Sequence, residues 1–116
     1  MQIDLTVQQG AKYQHTFTYV EVGASGVPAP VDLSGVTAKM QIRPHARSNT
    51  LLFDSQASNF NIDPATGSVE LVIDHTTTAA LNFRKAVYAI ELTLPNGDVE
   101  RMVEGAVQLS FEVVRP

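Results

Sequence analysis

Three histidines, twelve acidic residues and a spread of serines and threonines are the side chains with which this chain could do chemistry. Their spacing decides against it. His15 shares a strand face with Tyr13, Phe17 and Tyr19, and no acidic residue on that face would make it a general base. His75 directly follows Asp74, but neighbours in a strand point to opposite faces. With no cysteine and no His-x-x-x-His pair, zinc lacks a ligand set. No serine sits in a Gly-x-Ser-x-Gly elbow. Gly23-Ala24-Ser25-Gly26 lacks the third glycine, the lysine and the following helix of a phosphate loop. Asp98, Glu100 and Glu104 offer an incomplete oxygen set for calcium, and hairpin carboxylates are ordinarily solvated. The expectation is a protein that is not an enzyme and carries no cofactor or metal.

One basic cluster remains. Arg43, His45 and Arg47 stand together around Pro44 and Ala46, able to meet phosphates or a partner's carboxylates. A net charge of −4 and a pI of about 5.2 disfavour attraction of the whole chain to nucleic acid or anionic lipid. A nucleic-acid module would show a basic face with interleaved aromatics. Neither nucleic acid nor membrane is expected as a partner, and no apolar run approaches the roughly 20 residues of a membrane span. Met1-Gln2-Ile3-Asp4 lacks the basic start and apolar run of a signal peptide, so synthesis in a cytoplasm is expected. The 116 residues suit a single domain.

The elements that must position these residues read as strands. Ile3, Leu5 and Val7 alternate with polar neighbours, so residues 1–7 form an N-terminal arm or an edge strand. Such an arm could be donated to a neighbour or pair at home, and Ile3, Leu5 and Val7 join Arg43, His45 and Arg47 as candidate interface residues. After Gln8-Gln9-Gly10, a second alternation runs through Tyr13, His15, Phe17 and Tyr19. Gly23, Gly26, Pro28 and Pro30 make residues 20–30 a loop. Val31-Asp32-Leu33-Ser34-Gly35 is a turn in which Asp32 can accept from backbone N–H groups. Val36, Ala38, Met40 and Ile42 give a half-buried strand, residues 51–54 a short one, and Val69, Leu71 and Ile73 another. Asp74 reads as the N-cap of a short helix over residues 77–83.

The last thirty residues read as three antiparallel strands: 87–94, 99–104 and 106–114. Asn96-Gly97 is a strong hairpin signal. A two-residue turn would set Leu94 opposite Val99, Leu92 opposite Arg101 and Ile90 opposite Val103. One apolar face would then run on through Val107, Leu109, Phe111 and Val113. About seven short strands, one short helix and turns every 8–12 residues predict an all-β fold, an antiparallel sandwich or small barrel.

The order of these motifs is familiar. Gln9-Gly10 leads into the aromatic and threonine strand. Then come Pro30-Val31-Asp32-Leu33-Ser34-Gly35, Met40-Gln41-Ile42-Arg43 and Gly67-Ser68-Val69-Glu70-Leu71. Val87-Tyr88-Ala89-Ile90-Glu91-Leu92 and Asn96-Gly97-Asp98-Val99-Glu100-Arg101 follow. Across residues 8–115 this set resembles small structural proteins of tailed bacteriophages and prophages, including the N-terminal domains of baseplate upper proteins. The resemblance implies an immunoglobulin-like β-sandwich acting as a virion component. Its expected role is an adaptor in the tail, baseplate or fibre-attachment site, homo-oligomeric in the particle and bound to other virion proteins. A capsid decoration protein on the head surface is the alternative. A carbohydrate-binding β-module is a third reading, disfavoured because tryptophan is absent and Tyr88 shares a face with Ile90 and Leu92.

Overall fold

The structure is a computed structural model that describes residues 2–22, 26, 28–30 and 32–113. Its strands are β1 (Leu5–Gln8), β2 (Tyr13–Thr18), β3 (Val20–Val22), β4 (Pro28–Pro30), β5 (Thr37–Arg43), β6 (Phe53–Asp54), β7 (Phe60–Asp63), β8 (Ser68–Ile73), β9 (Lys85–Thr93) and β10 (Val99–Ser110). A single α-helix, α1 (His75–Ala80), joins β8 to β9 among the described residues, and a 3-10 turn over Ala57–Asn59 precedes β7. The large sheet has the order β1-β10-β9-β5-β6, the small one β2-β8-β7, and β3 and β4 form a separate ribbon. The all-β sandwich expected from turn spacing is the observed architecture, with short strands such as β3, β4 and β6 bringing the count to ten among the described residues.

Period-two alternation explains the core. In β8, Val69, Leu71 and Ile73 are completely buried while their neighbours are half-buried. Met40 and Ile42 in β5, and Ala86, Tyr88, Ile90 and Leu92 in β9, face them from the large sheet. Leu5, Val7, Phe17, Val103, Val107 and Leu109 belong to the same continuous cluster. A single core shared by two sheets is what a sandwich of this size can bury.

β1 runs parallel to β10, pairing Leu5 with Val107 and Gln8 with Ser110, while the other pairings are antiparallel. The chain then turns at Gly10, whose φ of 83° suits glycine, and crosses to the small sheet as β2. Gln9 anchors this crossing. Its backbone N–H donates to Ser110, its Nε2 donates to the Leu81 carbonyl, and its Oε1 accepts from Glu112 N–H.

Several local expectations are corrected. Residues 99–114 do not make two strands: β10 continues unbroken to Ser110, with a bulge at Met102 that buries both Met102 and Val103. The hairpin loop has three residues, not two. Gly97 N–H bonds to the Leu94 carbonyl and Leu94 N–H to the Asp98 carbonyl, with Gly97 at φ 93°. Pro95 fixes the first turn position and glycine the last, which is a turn closed by a left-handed residue. Val99 therefore faces Thr93 and Arg101 faces Glu91, one residue away from the expected pairs. The bulge cancels that offset, so Ile90 does face Val103.

Phe111 and Val113 lie beyond the strand and are exposed, so the apolar face ends at Leu109. Parts of the 20–30 loop are strand: Val20–Val22 pairs with Pro28–Pro30, and prolines are tolerated in an edge strand. Residues 23–25 and 27 of that loop, residue 1 of the N-terminal arm, residue 31 of the following turn and residues 114–116 lie outside the described residues. The helix begins at His75 and ends at Ala80, earlier at both ends than expected, because Asp74 caps it directly.

Candidate interaction surfaces

The two groups of candidate residues have different fates. Leu5 and Val7 are core residues of their own domain, 4% and 1% exposed, and Ile3 packs partly buried against the same cluster. Of the two arrangements open to residues 1–7, this chain adopts pairing at home: β1 lies beside β10 of its own domain, and leaving that place without an equivalent one in a neighbour would expose two core side chains. Burying a leucine or valine is worth about 1.5–3 kcal/mol each.

Arg43 ends β5. One guanidinium nitrogen donates to the Ser48 carbonyl at 3.0 Å and another to Gln41 Oε1 at 3.0 Å. Its task is to brace the 44–50 loop. That leaves His45 and Arg47, both exposed, as the polar tips the loop offers.

The N-terminal segment is fastened by an arrangement that sequence reading missed. Ile3 N–H donates to the Glu104 carbonyl at 3.0 Å, as a parallel ladder requires. The next bond is exchanged for a side-chain substitute. The Ile3 carbonyl turns into the core and accepts from the Tyr88 hydroxyl at 2.6 Å, while Asp4 Oδ1 accepts from Ala106 N–H at 3.0 Å. Gly105, opposite Tyr88 in β10, makes the space: a Cβ there would overlap the Ile3 carbonyl oxygen. Burial raises the Tyr88 hydroxyl well above the ordinary tyrosine pKa, and the neighbouring Tyr13 and Asp4 push it the same way. The hydroxyl therefore stays a donor across the physiological range.

The outward face of the large sheet forms a groove of about 850 Å³. Small side chains, Val87, Ala89 and Ala106, floor it, and Lys39, Arg43, Glu91 and Arg101 stand along it. Lys39 pairs with Asp54 at 3.6 Å, and Arg101 with Glu104 at 2.9 Å, all four well exposed. Exposed pairs of this kind contribute little to stability, and opposite charges alternate, so the groove has no dominant sign.

The histidines stay apart. His15 is half-buried with its ring 4.4 Å from that of Phe17. His45 is in the exposed loop, and His75 opens α1. Asp98 binds the Asn96 side chain and Glu100 accepts from the Tyr19 hydroxyl at 3.2 Å. Among the described residues no group of three or more histidine and acidic side chains converges on one point. Two exposed aspartates have lowered pKa values, each from the side chain and then the backbone N–H it accepts from: Asp32 with Ser34, and Asp74 with Thr77. Both are turn and cap geometry. No helix among the described residues is long and apolar enough to cross a membrane.

A family model described as an LtfC-like, beta-sandwich domain matches residues 1–110. No curated protein matches the chain.

Proposed function

The chain belongs to the LtfC-like β-sandwich domain family, which supports a phage structural protein, and we propose that it serves in the virion as an adaptor of the tail, baseplate or fibre-attachment site. The observation that carries this reading is the match of the family over nearly the whole chain. The geometry agrees in kind. The polar side chains spend their hydrogen bonds on capping, bracing and fastening the fold, as Asp74, Arg43 and Asp4 do. The protein acts by contact: no chemistry is assigned to it, and its partners are other virion subunits and further copies of itself. Open sheet edges and the 44–50 loop are the contacts it has to offer. Strand addition at an edge gives affinity through main-chain bonds, and repeated positions on a symmetric particle multiply weak contacts.

Peptide mass spectrometry of particles purified from the producing culture tests the reading. Peptides of this chain co-sedimenting with infectious particles, at a constant ratio to the other virion proteins, are expected. Their absence from particles, with the protein abundant in the lysate, would overturn it.

A further inference from the structure

Four strands form the edges of the two sheets: β1 and β6 in the large one, β2 and β7 in the small one. An edge presents unpaired N–H and C=O groups that template another strand, and proteins blunt such edges with charge, proline, bulges or brevity. Three of the four are blunted here. β1 is short, four residues from Leu5 to Gln8. β6 is two residues long and contains Asp54. β7 ends at Asp63, followed by Pro64.

β2 carries no such protection. It spans six residues, Tyr-Gln-His-Thr-Phe-Thr, without lysine, arginine, acid or proline. It pairs with β8 over its whole length without a register shift. Gln14, Thr16 and Thr18 are exposed on its solvent side.

We infer that the β2 edge is a contact between two copies of this chain, the two strands pairing antiparallel about a two-fold axis and fusing the small sheets into one of six strands. This rests on the assembly reading above and names one of its contacts. The strand's own side chains point to a second copy as the occupant, because β2 is self-complementary. A two-fold contact sets a strand against itself, and β2 opposes no like charge over the longest of the four edges, whereas β6 and β7 each bring an aspartate. Residues directly opposite in an antiparallel pair share a face, so the core side of one β2 must meet the core side of the other. The register centred on Thr16 does this. It sets Thr16 opposite Thr16, Gln14 opposite Thr18 and His15 opposite Phe17, and keeps His15 from facing its own copy. Threonine pairs and aromatic pairs are favourable cross-strand neighbours.

The absence of cysteine from the chain makes the test clean. In the proposed register a Thr16→Cys pair has Cα atoms about 4.5–5.5 Å apart, inside the range a disulfide bridges. Gln14→Cys residues would sit four positions out of step, about 13 Å along the strands. Oxidation should therefore give a covalent dimer for Thr16→Cys, and none for Gln14→Cys or for Thr6→Cys in β1. Sedimentation equilibrium should show a wild-type dimer, and Thr16→Lys should weaken it at least about tenfold with an unchanged melt.

A wild-type chain that stays monomeric up to about 1 mM, the weak end of specific association, overturns the inference. So does a dimer that cross-links as readily through Thr6→Cys or ignores Thr16→Lys. These outcomes are independent of the particle experiment. A monomeric chain found in virions removes this contact alone, and a β2 dimer absent from virions removes the adaptor reading alone.

Discussion

Replacing Gly105 by alanine adds one carbon atom at the place where the N-terminal segment crosses β10. The backbone there is not in the left-handed region, so alanine is conformationally acceptable and the effect is steric. The new Cβ would overlap the Ile3 carbonyl oxygen and lie 2.8 Å from the Ile3 carbonyl carbon and 3.0 Å from Asp4 Oδ1. The neighbour it meets is backbone, which cannot rotate away as a side-chain tip can. Ile3 must shift, and the Tyr88 hydroxyl then loses its acceptor inside the core. A buried unsatisfied group costs about 1–3 kcal/mol, and overpacking adds about 1–3 kcal/mol. The two overlap, because moving Ile3 relieves the clash while breaking the bond. A net loss of about 2–4 kcal/mol follows, or roughly 6–16 °C in Tm for a chain of this size.

The assay is a thermal melt followed by circular dichroism, run for Gly105→Ala, Tyr88→Phe and the double variant. If the glycine acts by making room for the Tyr88–Ile3 bond, the double variant should lose at least about 0.5 kcal/mol less than the sum of the singles. A Gly105→Ala melt within 1 °C of wild type, or strict additivity, would refute the reasoning.

Three further outcomes are expected. Leu109→Asp places a carboxylate at a position 3% exposed in the core, and it should abolish the cooperative melt at neutral pH. Arg47→Glu should weaken attachment to the partner subunit without moving the melt, while Arg43→Glu should lower the melt as well, because Arg43 braces the loop by bonds to Ser48 and Gln41; the melt and a particle-binding assay separate the two. The raised pKa of Tyr88 means its neutral form is favoured by folding, so its contribution is complete below the unfolded tyrosine value of about 10 and is lost as pH rises above it. An ultraviolet phenolate titration should show two tyrosines that ionise later than the ordinary value, Tyr13 and Tyr88, both raised by burial, and Tyr88→Phe should remove one of them.

The strands that were legible in the sequence are those with long, unbroken alternation. Val69-Glu70-Leu71-Val72-Ile73 and Ala38-Lys39-Met40-Gln41-Ile42 each bury one face, and period two is a direct consequence of the pleat. Asp74 was legible as a cap because its carboxylate answers a purely local need, the free N–H of Thr77. What was not legible depended on partners far along the chain. Gly105 looked like a break between two strands, yet it is a strand residue whose missing side chain accommodates Ile3. The Tyr88 hydroxyl and the Ile3 carbonyl are 85 residues apart, and no spacing rule joins them.

The hairpin register failed for a local reason. Asn96-Gly97 suggested a two-residue turn, but Pro95 fixes the preceding dihedral and lengthens the loop by one. The bulge at Met102 that restores the alignment has no residue signature of its own. The proline-bounded strand β4 lacks alternation and was hidden for the same reason that prolines normally mark loops. The candidate surface divided along similar lines. Exposure of His45 and Arg47 followed from loop composition, whereas the buried state of Leu5 and Val7 needed the parallel pairing with β10, which their alternation alone leaves open.

Antibody labelling of intact particles, viewed by electron microscopy, tests the central claim most directly. The account predicts label at the tail end or the base of the fibres. Label over the head instead would establish a decoration protein, and the absence of label from intact and opened particles would contradict a virion role.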